Sequence, residues 1–366
     1  MLRELTNKEL QEYKSIPNPF WKRIKEEILL PEDVLSYNKN IILDKKTDGI
    51  IDSIRNLDIR YMKYLNTNKR YGLGEKFLRL SEYFSNTGFL IDVSPNSREN
   101  KVNIDFSIDK KNPMIIDHNL IVCRENSNLD LYIKYEDDET NGFHNGFTKI
   151  YVEKGCNINI YKVQKYSKNT ENFDSNVVFV EENANVNIID IQLGSKLKGI
   201  NYNVELIGDN SSCEIKSLYT GTEDDKMDFS YDIKFLGKRT NGYVESKGAL
   251  SDNAWKVFRS TINFVKGCKK SRGGESEYVT LLSKNVKAHA IPALFCTEDD
   301  VIGEHAASAG QIDDNKMFYL MSRGLDKNIA KILIVESTFK PILDRLPNER
   351  MREEIVKHVR RMLGGK

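Results

Sequence analysis

The feature of this sequence that most limits its fold is a weak internal repeat. The tripeptides at 158–160, 186–188 and 213–215 read Ile-Asn-Ile, Val-Asn-Ile and Cys-Glu-Ile, and their starting positions are almost evenly spaced. Each follows turn-forming residues. A turn followed by alternating apolar and polar residues at nearly constant spacing is typical of a solenoid, in which one apolar position stacks on the same position of the preceding coil. The repeat therefore predicts a β-helix.

An antiparallel β-sandwich also contains alternating strands, and it is the main alternative fold. Its strands recur about every 8 to 12 residues and are often joined by Asn-Gly hairpin turns. Here the Asn-Gly pair occurs only at residues 141, 145 and 241. The pattern therefore favours the β-helix over the sandwich.

Helical periodicity brackets the strand-like segment at both ends. Near the N-terminus it predicts helices around residues 8–13, 18–29 and 75–85. Near the C-terminus it predicts three helices, for which Asp313 or Asp314, Asp326 and Asn348 are the candidate N-caps, and Pro341 is expected to kink or end the second. The chain is thus mainly β, with an N-terminal helical region at 1–90, a β-helix core at 91–309 and a C-terminal helical region at 310–366.

Charge and cysteine content exclude several classes of function. Lys and Arg number 55 against 54 Asp and Glu, so the net charge of +1 provides no global field to attract nucleic acid or an anionic membrane. No apolar run is long enough for a membrane-spanning helix, and no secretory signal is recognised at the charged start. The five cysteines include no C-x-x-C pair. We therefore expect reduced thiols, a cytoplasmic location, no nucleic acid and no membrane.

Candidate metal ligands concentrate in the last strand-like stretch, which contains His289, Cys296, Glu304 and His305. Imidazole, thiolate and carboxylate groups together suit iron or zinc. The alternative interpretation is that His289 faces a loop, Cys296 fills the core as a small apolar residue and the acids are solvated. Cys156 and Cys213 fall within the repeating strands, where we expect them to be buried.

The residues around these candidates resemble a known family. The sequences E-H-A-A at 304–307 and M-F-Y-L-M-S-R-G-L at 317–325 are similar to signatures of the SufB/SufD family of iron–sulfur cluster assembly scaffolds, and the resemblance covers about residues 240–366. Val286 stands where SufB proteins carry a cysteine, and Ala306 stands where they carry a second glutamate. The chain therefore resembles SufD-like members more than SufB-like ones.

The resemblance implies a right-handed parallel β-helix and a non-catalytic scaffold. Its implied partners are a SufC-type ATPase, which would hydrolyse ATP, a SufB-type paralogue or a second copy of the chain, and indirectly a cysteine desulfurase system that supplies sulfur. Iron or a nascent iron–sulfur cluster would bind transiently near the pairing surface, and a flavin in the complex is left open. His305 would be the main ligand, aided by Glu304, Cys296 and His289.

The implied docking surface for the ATPase lies on the C-terminal helices, which carry more apolar side chains than one solenoid end can cover. The residues expected to contact the ATPase are Phe318, Tyr319, Arg323, Phe339, Ile342 and Leu346. Two alternatives stay open at this point: a SufB-like scaffold that acts as a homodimer with SufC, and a carbohydrate-active β-helix enzyme. The enzyme would need paired carboxylates, for which Asp299 and Asp300 are the candidates.

Overall fold

The computed structural model describes residues 7–54, 58–65 and 71–364, and the described chain forms a parallel β-solenoid of about eight turns with helices near both ends. This confirms the predicted β-helix. The helices are α1 (Asn7–Ser15), α2 (Met62–Leu65), α3 (Glu75–Phe84), α4 (Asp314–Ser322), α5 (Lys327–Leu343) and α6 (Glu349–Met362). The strands are β1 (Phe20–Trp21), β2 (Glu26–Glu27), β3 (Ile42–Lys46), β4 (Ile50–Ser53), β5 (Phe89–Val93), β6 (Lys101–Ile108), β7 (Met114–Cys123), β8 (Asn128–Asp137), β9 (Gly142–Val152), β10 (Asn157–Lys165), β11 (Thr170–Val180), β12 (Asn185–Leu193), β13 (Leu197–Leu206), β14 (Ser212–Gly221), β15 (Lys226–Phe235), β16 (Asn241–Leu250), β17 (Trp255–Phe264), β18 (Ser271–Leu281), β19 (Lys287–Cys296) and β20 (Val301–Gln311).

Each coil contributes one strand to each of two facing sheets. One sheet has the order β20-β18-β16-β14-β12-β10-β8-β6-β3, and we call it the even-numbered sheet because all its strands except β3 have even numbers. The other has the order β19-β17-β15-β13-β11-β9-β7-β5-β4, and we call it the odd-numbered sheet because all its strands except β4 have odd numbers. Ile158 pairs with Val186, which in turn pairs with Cys213. Each step of the sequence repeat is therefore one coil. All three side chains are buried in the core between the sheets.

A left-handed turn residue recurs in successive coils. Its φ lies between 55° and 70°, and its backbone N–H donates to a carbonyl oxygen of the next coil at 2.6–3.0 Å. Asparagine and glycine tolerate this conformation best, which explains their recurrence between strands. The seven residues of this turn ladder are Asn96, Asn126, Gly155, Asn183, Asn210, Arg239 and Lys270.

The N-terminal region packs on the outer face of the odd-numbered sheet. Helices form at α1 and α3 as predicted, but the helix expected at residues 18–29 is wrong. That segment is the antiparallel hairpin β1–β2, in which Lys25 has a φ of 59°. Trp21, Ile24 and Ile28 are buried against the sheet, whereas Phe20 and Leu29 are exposed. A helix would bury the same residues, so the periodicity did not distinguish the two structures.

The two ends of the solenoid differ. At the first coil, β3 and β4 run antiparallel to β6 and β5 and cover the sheet edges. A solenoid needs a cap, which predicts that part of the C-terminal helical region covers the last coil. The described helices do not cover it. α5 and α6 pack instead on the outer face of the even-numbered sheet, so the end formed by β19 and β20 stays open.

The predicted N-caps of the C-terminal helices are confirmed. Asp313, Asp326 and Asn348 each accept hydrogen bonds from the backbone N–H groups of the first turn that follows. α5 continues two residues past Pro341 and ends at Leu343. Among the described residues, no helix is long and apolar enough to span a bilayer.

Candidate functional site

The final coil is the most exposed part of the solenoid. Within residues 7–54, 58–65 and 71–364, β19 pairs only with β17 and β20 pairs only with β18, so each has one unpaired edge. Large apolar side chains are exposed here: Leu294 by 38%, Phe295 by 58% and Ile302 by 48%. An open strand edge presents a row of backbone donors and acceptors on which another strand can pair. This end of the solenoid can therefore pair with further strands.

One inward-facing column of the even-numbered sheet changes its chemistry at this open end. Residues that pair from coil to coil point to the same face of a parallel sheet. From β8 onward, five successive members of the column are aliphatic and buried, and the last two are Glu275 and His305. In order from β8 to β20, the members are Leu131, Ile160, Ile188, Ile215, Val244, Glu275 and His305.

His305 and Glu275 therefore both face the interior, one coil apart. His305 is exposed because no coil covers it, whereas Glu275 is only 5% exposed. Neither carboxylate oxygen of Glu275 accepts a hydrogen bond from the described part of the chain, and the Ser260 hydroxyl lies nearby without meeting hydrogen-bond geometry. Burial raises the pKa of Glu275, while Ser260 and, more weakly, His305 act to lower it.

A buried ion pair lies in the adjacent inward column. The Lys256 ammonium is 2.6 and 2.7 Å from the two carboxylate oxygens of Glu277, and the Tyr219 hydroxyl donates to the same carboxylate at 2.7 Å. The side chains of Lys256 and Glu277 are only 1% and 2% exposed. Burial lowers the pKa of Lys256, although Glu277 opposes this shift. The solenoid interior behind the open end therefore contains a charged pair beside its apolar core residues.

The other predicted ligands point in different directions. Glu304 alternates with His305 and faces outward, and His289 lies on the outer face of the odd-numbered sheet beside Trp255, with 6.3 Å between ring centroids. Cys296 pairs with the core residue Phe264 at the end of β19, so it faces inward, but its side chain is exposed.

The Cys296 thiol is 3.0 Å from the Glu298 carbonyl oxygen. The alternative that it fills the core is therefore wrong, whereas Cys156 and Cys213 are buried as expected. In the described part of the chain, no three or more His, Cys, Asp or Glu side chains are grouped to hold a metal ion. The four predicted ligands are therefore not brought together.

The predicted ATPase-contacting residues divide into two groups. Phe318 and Tyr319 on α4 are 75% and 57% exposed, and the Arg323 guanidinium lies 5.3 Å from the centre of the Tyr319 ring. In contrast, three of the predicted contact residues are at most 1% exposed and pack against the chain's own even-numbered sheet: Phe339, Ile342 and Leu346. The prediction that these three contact a partner is corrected, because the apolar face of α5 is already covered.

An apolar patch remains on the first two C-terminal helices. Besides Phe318 and Tyr319 it includes Met321, Ile329 and Leu333, which are 45%, 49% and 37% exposed. We refer to these five residues as the α4–α5 patch. Five exposed large apolar side chains on two consecutive helices make this region a candidate interaction surface.

Comparison with known proteins decides the family. The model for "SUF system FeS cluster assembly, SufBD core domain" matches residues 106–338, which extends well before the region in which the resemblance is evident by inspection. The chain belongs to the SufB/SufD family. The family match confirms the resemblance and does not support the carbohydrate-active alternative, whose candidate residues Asp299 and Asp300 lie in the exposed segment before β20.

Three relatives illustrate the similarity. The chain is 31% identical to the iron–sulfur cluster assembly protein SufD of Bacillus subtilis (strain 168) over 156 residues, which cover 43% of this chain and 36% of the relative. It is 26% identical to a SufBD family protein of Mycobacterium tuberculosis over 211 residues, or 58% of this chain and 25% of the relative. A SufBD family protein of Staphylococcus saprophyticus is 24% identical over 315 residues, or 84% and 66%.

The chain thus spans about a third of the Bacillus SufD and a quarter of the mycobacterial relative. The prediction of a SufD-like member of the SufB/SufD family is confirmed.

Sequence reasoning missed Glu275. The signal is its place in the repeat, because an acid follows five aliphatic residues that occupy the same position of earlier coils. That signal becomes readable only when the length of each coil is known. Coils near the open end are longer than those in which the repeat is evident, as the pairing of Val244 with Glu275 shows beside that of Ile158 with Val186.

Proposed function

We propose that this chain is a SufD-like, non-catalytic scaffold subunit in cytoplasmic iron–sulfur cluster assembly. It pairs through its open final coil with a SufB-type chain, presents His305 to iron or a nascent cluster at that junction, and couples to a SufC-type ATPase through the α4–α5 patch. Sulfur arrives from a cysteine desulfurase system. The observation that carries this proposal is the open coil, since it joins an unpaired surface to an inward-facing imidazole.

The pairing step is supported by the chemistry of the final coil. The unpaired edges of β19 and β20 can accept strands by β-augmentation, in which main-chain hydrogen bonds join two chains. Leu294, Phe295 and Ile302 would be buried in the same event. At the other end, the first parallel strands are covered by the antiparallel strands β3 and β4, whose own edges are about half as long as those of β19 and β20.

Pairing is tested by substituting Phe295→Lys and Ile302→Lys together in the full chain, co-expressed with a SufB-type protein. Mass measurement after size exclusion should show the pair for the wild-type chain and monomers for the variant. Leu43→Lys is the matched control, because Leu43 is 63% exposed on β3 at the other end. A wild-type chain that pairs only with itself would support the SufB-like homodimer instead, and a variant that pairs normally would refute the docking surface.

The iron-binding step rests on His305. A neutral imidazole is a good ligand for ferrous iron, and the open coil leaves this one accessible from the pairing surface. Cys296 is a second proposed ligand because its exposed thiol faces the same interior opening. Glu304 and His289 project from outer faces and are left outside the proposed set. His305→Ala should abolish cluster reconstitution by the assembled complex while unfolding at nearly the wild-type temperature; full reconstitution would contradict the proposal.

ATPase coupling is assigned to the α4–α5 patch. The helices offer an apolar surface of the kind that lies in a partner's groove. Phe318→Asp should abolish binding of the SufC-type ATPase measured by calorimetry. Leu29→Asp is the control, since Leu29 is 70% exposed but lies far from α4 in the chain. Equal ATPase affinity for both variants would refute this assignment.

A further inference from the structure

We infer that Glu275 is a further protein ligand for the iron that His305 binds. This inference rests on the proposed function, and it adds a donor from the preceding coil that the sequence signatures do not include. The two residues are paired in adjacent parallel strands, so their side chains leave the sheet on the same, inward side. Adjacent strands are about 4.8 Å apart, which lets two side chains of this length converge on one ion.

The first argument is the free-energy cost of burying the Glu275 carboxylate. Burying a carboxylate without hydrogen bonds is strongly unfavourable, and native structures seldom leave such a group unsatisfied without a reason. Glu275 is 5% exposed, and in the described residues only the Ser260 hydroxyl, which does not meet hydrogen-bond geometry, is placed to donate to its carboxylate. The five preceding positions of the column show that an aliphatic side chain fits here. Stability therefore does not explain the acid, and a ligand would.

The second argument is the contrast with Glu277, two residues along the same strand. Glu277 also faces inward, but it is satisfied by Lys256 and Tyr219 at 2.6–2.7 Å. Its charge is compensated without any ligand. Glu275 has no comparable cation at hydrogen-bond distance within the described chain, and its paired neighbour towards the open end is His305.

The third argument is the donor chemistry. One imidazole and one carboxylate suit ferrous iron, and two protein ligands leave the remaining coordination positions to water, sulfide or groups of the pairing chain. Such an incompletely filled site is appropriate for an ion that is passed on rather than retained. Among the described residues no third His, Cys, Asp or Glu side chain is grouped with these two, and the Cys296 thiol lies 3.0 Å from the Glu298 carbonyl oxygen instead.

The inference is tested by measuring ferrous ion binding to the full chain by anaerobic titration calorimetry. Three substitutions are compared with wild type: Glu275→Gln, Glu275→Val and His305→Ala. We expect Glu275→Gln to weaken binding at least about tenfold and His305→Ala to weaken it further. Glu245→Gln is the matched control, because Glu245 lies on β16 of the same sheet but on its outer face, where it contacts Lys216 and Lys247. The control should bind iron as wild type does.

Glu275→Val separates ligand loss from misfolding, because it restores the side chain that Val244 has one coil earlier. It should bind iron as weakly as Glu275→Gln while unfolding at a higher temperature than wild type. If both Glu275 variants bind iron normally and His305→Ala does not, the inference is overturned and the proposed His305 site stands. If His305→Ala binds iron normally, the proposed iron site fails and the inference fails with it.

Discussion

The buried pair of Lys256 and Glu277 provides a quantitative test of how the polar interior is held. We consider two single substitutions, Glu277→Gln and Lys256→Met, and the double variant. Each single change removes one charge and leaves the other inside the solenoid, where the side chains are 1% and 2% exposed. Removal of one partner of a buried ion pair costs about 3–5 kcal/mol, because the remaining charge has lost its compensation.

The double variant should be less destabilised than the sum of the single variants. It has no buried charge at this position, and the amide introduced at position 277 can still accept the hydrogen bond from Tyr219 that Glu277 accepts at 2.7 Å. Replacement of a whole buried pair by neutral groups is often close to neutral in stability. The coupling free energy between the two positions should therefore be at least about 2 kcal/mol, within the range of neighbouring buried groups.

Urea unfolding followed by circular dichroism measures these differences as shifts of the midpoint. The pH dependence provides a second readout for Glu277→Gln. Burial already lowers the pKa of Lys256, and loss of the carboxylate would lower it further. With a lowered folded-state pKa, the folded protein loses the Lys256 proton at a lower pH than the unfolded chain does, so the penalty should shrink as pH rises towards the ordinary lysine pKa of about 10.4. Additive single variants, or a penalty independent of pH, would refute the reasoning.

Three further predictions concern other parts of the fold. Burial raises the pKa of Asp190 to about 7 in the folded protein, whereas an Asp in the unfolded chain has a pKa of about 3.9. The unfolded chain therefore loses this proton at a lower pH, and the free energy of unfolding should fall as pH rises from about 4 to 7. Asp190→Asn should flatten that decline, measured as urea midpoints. Phe339→Ala should cost about 3–5 kcal/mol in urea unfolding, whereas Phe318→Ala should cost no more than about 0.5 kcal/mol, and similar losses would contradict the assignment of buried and exposed faces. Lys270→Asn should raise the thermal midpoint, because φ is 61° and asparagine tolerates it better; an unchanged or lower midpoint counts against strain at this turn.

The repeat could be predicted from sequence because it depends on local and nearest-neighbour rules. Residues 158–160, 186–188 and 213–215 stack one on another as expected, since buried positions must recur at the length of one coil. The N-caps Asp313 and Asp326 were predictable for a similar reason, because a capping side chain bonds within its own turn.

The incorrect predictions concern features that depend on packing between residues distant in sequence. The apolar residues of 18–29 can face a sheet from a helix or from a hairpin, and the pattern is compatible with both. Phe339 and Ile342 form an apolar helix face, but sequence does not say whether the chain's own sheet or a partner covers it. The four predicted ligands do not form one site, in part because side chains alternate along a strand. Glu304 and His305 are neighbours in sequence, but they face opposite sides of the sheet.

The difference between the two solenoid ends also orders events during synthesis. Each coil contacts only its neighbouring coils, so stability accumulates from nearest-neighbour contacts along the chain. The first edges are closed by β3 and β4, which precede the solenoid strands in sequence. The edges of β19 and β20 leave the ribosome last among the strands. A nascent chain therefore exposes this pairing edge only after its other described strands have been synthesised, and this timing limits premature association between unfinished chains.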